Sequence, residues 1–103
     1  MKKLTRLFFL VAVLATMGLS AWAQTTELFF SEYAEGSGNN KYIEIYNGTG
    51  ADVDLTPYVV KLGSNGGDWG NTADLTGTLT DGDVFIIANS SADPTILALA
   101  DIT

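Results

Sequence analysis

The chain has 103 residues with 12 acidic and five basic side chains, a formal net charge of −7, and neither cysteine nor histidine. Disulfides, thiol nucleophiles, imidazole bases and the commonest zinc ligands are therefore excluded, and with them most routes by which so small a domain catalyses. The acidity also argues against direct nucleic-acid binding, which draws on Lys and Arg to neutralise phosphates.

In chain order, Lys2, Lys3 and Arg6 precede an apolar run from Leu7 to Leu19, and Ala21-Trp22-Ala23 has the small-x-small form of a cleavage site. Residues 1–23 are predicted to be a signal peptide, cut before Gln24. The apolar run is shorter than the ~20 residues that cross a bilayer, and no later stretch of the mature chain approaches that length. Removing 23 of the 103 residues leaves 80, in which Lys41 and Lys61 stand against all 12 acids, for a net charge of −10. The product is expected outside the cytoplasm: extracellular, at the cell surface or in the periplasm. With no disulfide available, its core alone must hold it together.

The mature part, residues 24–103, alternates strand-like runs with turns at short spacing, which predicts an all-β sandwich. Leu28–Tyr33 is the first expected strand, followed by the loop Gly36-Ser37-Gly38-Asn39-Asn40. Tyr42–Tyr46 alternates cleanly, placing Ile43 and Ile45 on a core face and Tyr42, Glu44 and Tyr46 on a wetter one. Asn47-Gly48-Thr49-Gly50 is a turn, Val53–Leu55 a short extended piece, and Tyr58–Leu62 a strand. From Gly63 to Asn71 the chain reads as one long loop without periodicity. Leu75–Leu79 is a weaker strand and Val84–Ala88 a buried one, with Val84 and Ile86 expected to join Ile43 and Ile45 in the core. Asp93-Pro94 has the form of a helix start, with one or two turns from Thr95 to Ala100. Five strands in 80 residues leave an immunoglobulin-like sandwich open, so the chain is expected to be incomplete at its C-terminus and to be the N-terminal portion of a longer protein.

Ser31-Glu32-Tyr33, the loop to Asn40-Lys41, Tyr42-Ile43-Glu44-Ile45-Tyr46-Asn47, Val53-Asp54-Leu55 with the aromatic Tyr58, and then Leu79, Gly82-Asp83 and the strand to Ala88-Asn89 follow one another in an order that resembles the lamin-tail domain family in its bacterial, secreted form. The resemblance implies an immunoglobulin-like β-sandwich that carries no catalytic residues of its own. It also implies a role in attachment or association, often beside a hydrolase domain of the same exported protein.

Among candidate site residues, Glu32 and Glu44 come together if the first two strands pair. With Glu35 and the carbonyls of Asn39 or Asn40 they make the hard-oxygen set that calcium prefers. The ordered acid-x-acid-x-acid-Gly spacing of a calcium loop is absent, so no cofactor is assigned, and the plainer reading is two solvated strand-face acids and a loop acid. Asp68-Trp69 in the glycine-rich loop is the best contact candidate, since tryptophan is enriched at binding hot spots. The favoured alternative folds Trp69 back over the end of the sandwich. Asn47 and Asn89 match the N-glycosylation pattern, and in a bacterial protein they are turn residues. The leading reading is a noncatalytic binding or attachment module of an exported bacterial protein, with a protein or a surface ligand as partner. The rival reading is the start of a longer secreted hydrolase, of nuclease or phosphatase type, whose active site lies beyond Thr103.

Overall fold

The structure, a computed structural model, describes residues 24–103. The expected leader, with its cleavage residues Ala21 and Ala23, lies outside the described residues, and Gln24 is the first of them and exposed. Seven strands and a short helix follow: β1 Phe29–Glu35, β2 Lys41–Tyr46, β3 Val53–Asp54, β4 Val59–Gly63, β5 Trp69–Asp74, β6 Thr78–Leu79, β7 Val84–Ala88 and α1 Pro94–Leu97. β2 lies at the centre of a three-stranded antiparallel sheet in the order β1-β2-β7, while β3 pairs with β6 and β4 with β5. The described chain is thus nearly all β, its short antiparallel strands laid out as a β-sandwich.

The register fixes what each face does. Ile45 stands opposite Phe30 on one side and Phe85 on the other, and Ile43 opposite Tyr33 and Ile87. Ile45 is buried, and it clusters with Leu55, Leu75 and Leu79; Leu28, Tyr58, Val60, Phe85, Ile87 and Ile102 pack against that cluster. The core partners on β7 are therefore Phe85 and Ile87, not Val84 and Ile86. Val84 and Ile86 pair with Tyr46 and Glu44 on the opposite face and are half-buried. A run apolar at every position carries no phase, so only the pairing with β2 decides which side faces in.

Two further expectations are corrected. The segment from Gly63 to Asn71 is not one loop: β4 and β5 form a hairpin through Ser64-Asn65-Gly66-Gly67. Asn65 and Gly66 have φ of 52° and 74°, and the Gly67 N–H donates to the Ser64 carbonyl at 2.9 Å. Positive φ at both central residues is the primed turn whose twist matches a tight antiparallel hairpin. Downstream, Leu75 to Leu79 is not a single strand. Leu75 is a buried core residue between β5 and the two-residue β6.

The C-terminal residues also pair. After α1, Ile102 forms a parallel bridge with Ile87. The Ala88 N–H donates to the Ile102 carbonyl at 3.1 Å, the Asp101 N–H to the Ile86 carbonyl at 2.8 Å, and the Ile86 N–H to the Asp101 carboxylate at 2.7 Å. The outer edge of β7 is thereby covered by the chain's own residues, where a terminus without further pairing was expected. Helix α1 starts as anticipated, with Asp93 at the N-cap and Pro94 in the first turn, but the Asp93 side chain makes no cap hydrogen bond. Its carboxylate instead accepts from Asn40 Nδ2 at 2.7 Å, while its backbone N–H donates to Asn40 Oδ1 at 2.8 Å. Asn40 thus ties the β1–β2 loop to the start of the helix.

Candidate functional site

The outer face of the three-stranded sheet holds Glu32 and Glu44. Glu32 and Glu44 are direct cross-strand partners, as strand pairing requires, yet each is turned to a different donor. The Tyr42 hydroxyl donates to Glu32 Oε1 at 2.5 Å, and the Ser31 hydroxyl to Glu44 Oε1 at 2.8 Å. Tyr42 ionises above the usual phenol value, first because its hydroxyl is bonded to the Glu32 carboxylate, with smaller contributions from desolvation and from the charges of Glu32 and Glu44. Glu35 lies 3.9 Å from Lys41 in an exposed ion pair, a contact of the kind that adds little stability. Among the described residues no group of three or more Asp or Glu side chains is placed to hold a metal ion. Asn40 is engaged with Asp93 rather than with these acids.

Asp68 and Trp69 sit where the β4–β5 hairpin leaves its turn. Trp69 is the first residue of β5, paired with Gly63 across a register shift. It is 65% exposed and does not fold back over the core. A Cβ built on Gly63 would meet the Trp69 ring at 3.5 Å, so the indole lies over the bare backbone of its cross-strand partner. That contact lays one edge of the ring against the backbone, and most of its surface stays open. Asp68 beside it is exposed.

Two further aromatics went unnoticed as contact candidates. Phe30 and Tyr33 on β1 share the core-facing side of the sheet with Ile45 and Ile43, but they lie past the reach of the packed residues and are 63% and 66% exposed. The signal was present in Phe29-Phe30-Ser31-Glu32-Tyr33: aromatics on both alternations of a strand exceed what one buried face uses. Phe29 on the opposite face meets the Tyr46 ring edge-on, with centroids 5.5 Å apart.

Asn47 has a purely structural use. It is fully buried, its Nδ2 donates to the Ala51 and Leu79 carbonyls at 2.8 and 2.9 Å, and its Oδ1 accepts from the Thr49 N–H and hydroxyl at 3.1 and 2.8 Å. Its backbone joins the β6–β7 turn, with the N–H donating to the Asp83 carbonyl and the carbonyl accepting from Gly82. An amide with both protons engaged and no exposed surface is not an acceptor for a sugar.

The described residues form a small, acidic β-sandwich with apolar side chains left outward on one edge strand and one hairpin. Residues 22–101 match the family described as Lamin Tail Domain, and the chain belongs to that family. No curated protein and no solved structure matches it.

Proposed function

We propose that this domain is a noncatalytic binding or attachment module of an exported bacterial protein. The observation that carries the reading is the outward Trp69, held over Gly63 at the base of the hairpin turn and left 65% exposed. An outward, open indole is the kind of anchor on which protein contacts concentrate their binding energy. The basic start, apolar run and Ala21-Trp22-Ala23 site support export, and family membership supports a noncatalytic module.

The test is retention of the fluorescently labelled exported chain on intact bacterial cells, measured against concentration. The reading expects saturable retention that Trp69→Ser weakens by about tenfold, equivalent to ~1.4 kcal/mol, at an unchanged melting temperature. Retention that rises linearly with concentration, or that ignores the substitution, would overturn it.

A further inference from the structure

The two edges of the three-stranded sheet are treated differently. On the β7 side, Asp101 and Ile102 occupy backbone groups of Ile86 and Ala88. On the β1 side, β2 is the one pairing partner among the described residues, and six of the seven residues of β1 are exposed. Every second residue of an edge strand turns its N–H and C=O away from its neighbour, so β1 presents a row of unpaired backbone groups.

The side chains along this edge have a definite character. On the core-facing side Phe30 and Tyr33 continue the apolar surface of Ile45 and Ile43 past the packed core. On the other side stands Glu32; Glu35, opposite Lys41 at the end of the strand, falls on the core-facing side beside Tyr33, and Glu27 lies just before the strand. β1 contains neither lysine nor proline, the usual guards of a free edge. It does carry an irregularity between Phe30 and Glu32, where the Ser31 hydroxyl is drawn back onto Glu44.

Charge decides what this edge admits. A second copy of the chain would bring its own three glutamates against these, and one body of charge −10 against another, which like-charge repulsion opposes. A basic strand meets the opposite condition, with the Lys or Arg side chains of one face drawn to Glu32 and the apolar side chains of the other laid on Phe30 and Tyr33. We propose that β1 is a docking edge for an extended segment of a partner protein in which Lys or Arg alternates with apolar residues, added to the sheet as a further strand. Main-chain hydrogen bonds supply affinity in this mode, and the alternating side chains supply selection. The proposal rests on the attachment reading and names the class of partner.

The experiment uses the exported chain and a synthetic peptide of alternating lysine and valine, as long as β1. Two controls accompany it: the same peptide with alternate backbone nitrogens methylated, which keeps the charge but blocks the ladder, and a glutamate-valine peptide. The expected result is saturable binding of the lysine peptide that slows hydrogen exchange at β1 amides, falls about tenfold with methylation or with Phe30→Ser/Tyr33→Ser, and weakens with added salt. Both side chains are exposed, so the double variant should keep its melting temperature. Equal binding of the methylated and unmethylated peptides would reduce the effect to charge attraction and overturn the proposal. So would protection away from β1, or dimerisation of the chain through β1 as salt is raised. If the chain is retained on cells in the Trp69-dependent way while the lysine peptide leaves β1 untouched, strand addition falls and the attachment reading stands. If neither occurs, both fall.

Discussion

Replacing Asn47 tests how much of this fold depends on one polar side chain. Asn47 is 0% exposed and makes four side-chain hydrogen bonds that join the turn after β2 to the carbonyl of Leu79 on β6. Removing them with Asn47→Ala leaves the buried Leu79 carbonyl without its donor. One such orphan costs about 1–3 kcal/mol, and the lost partly buried bonds about 1 kcal/mol each in net terms. A total of about 4–6 kcal/mol is expected, a large share of the stability of a domain this small. Asn47→Asp keeps the shape but turns lone pairs toward two carbonyl oxygens at 2.8 and 2.9 Å. Its carboxyl gains a donor only by taking up a proton, so its folded-state pKa is raised. Relative to the parent, the penalty should be largest above that pKa and shrink as pH falls through it. Urea unfolding of the chain reads both effects, with the exposed Asn71→Ala as control. A loss from Asn47→Ala no greater than that from Asn71→Ala would refute the reasoning.

Other outcomes follow from the same structure. Ile45→Ala should cost about 2–5 kcal/mol, and Phe85→Ala should destabilise more than Val84→Ala, because Phe85 and not Val84 packs on the Ile45 cluster; denaturant midpoints check the order. Tyr42 titrates above the usual phenol value, first through its bond to Glu32, so its contribution to stability is full below the unfolded-state pKa and is lost as pH rises through the folded-state one. Glu32→Gln should lower that titration, as read from the Tyr42 ring resonances. Asp54 titrates low because the Thr56 N–H, and then its hydroxyl, donate to it; its stabilising effect is present above the unfolded-state pKa and is lost as pH falls through the folded-state one. Thr56→Val should raise the Asp54 pKa. Mass spectrometry of secreted material should find Gln24 at the N-terminus, and a product retaining Leu7–Leu19 would contradict the processing.

Much of the sheet was legible where a pattern has one meaning. Tyr42–Tyr46 alternates, so the inward side of β2 could be read from period two alone, and Asp93-Pro94 marked the helix start. Where the pattern was silent, the reading slipped. Val84-Phe85-Ile86-Ile87-Ala88 is apolar throughout, and its phase comes from β2 through hydrogen bonds between residues some forty positions apart. Asn65-Gly66 was a different case: an Asn-Gly pair between two extended runs is a strong hairpin signal, obscured here by the glycines around it and by the polar composition of β5. That omission placed Trp69 in a loop, when the cross-strand contact with Gly63 is what holds it outward. The burial of Asn47 was beyond a sequence reading, because a turn asparagine and a core asparagine look alike until the carbonyls of Ala51 and Leu79 are in place.

Hydrogen exchange across the sheet, measured amide by amide on the chain alone, tests most directly the claim that one edge is closed by the chain itself and the other left open for a partner. The account predicts slow exchange at Ile86 and Ala88, whose N–H groups are held by Asp101 and Ile102, together with fast exchange at alternate residues of Phe29–Glu35. Uniformly slow exchange along β1, or fast exchange at both Ile86 and Ala88, would contradict it.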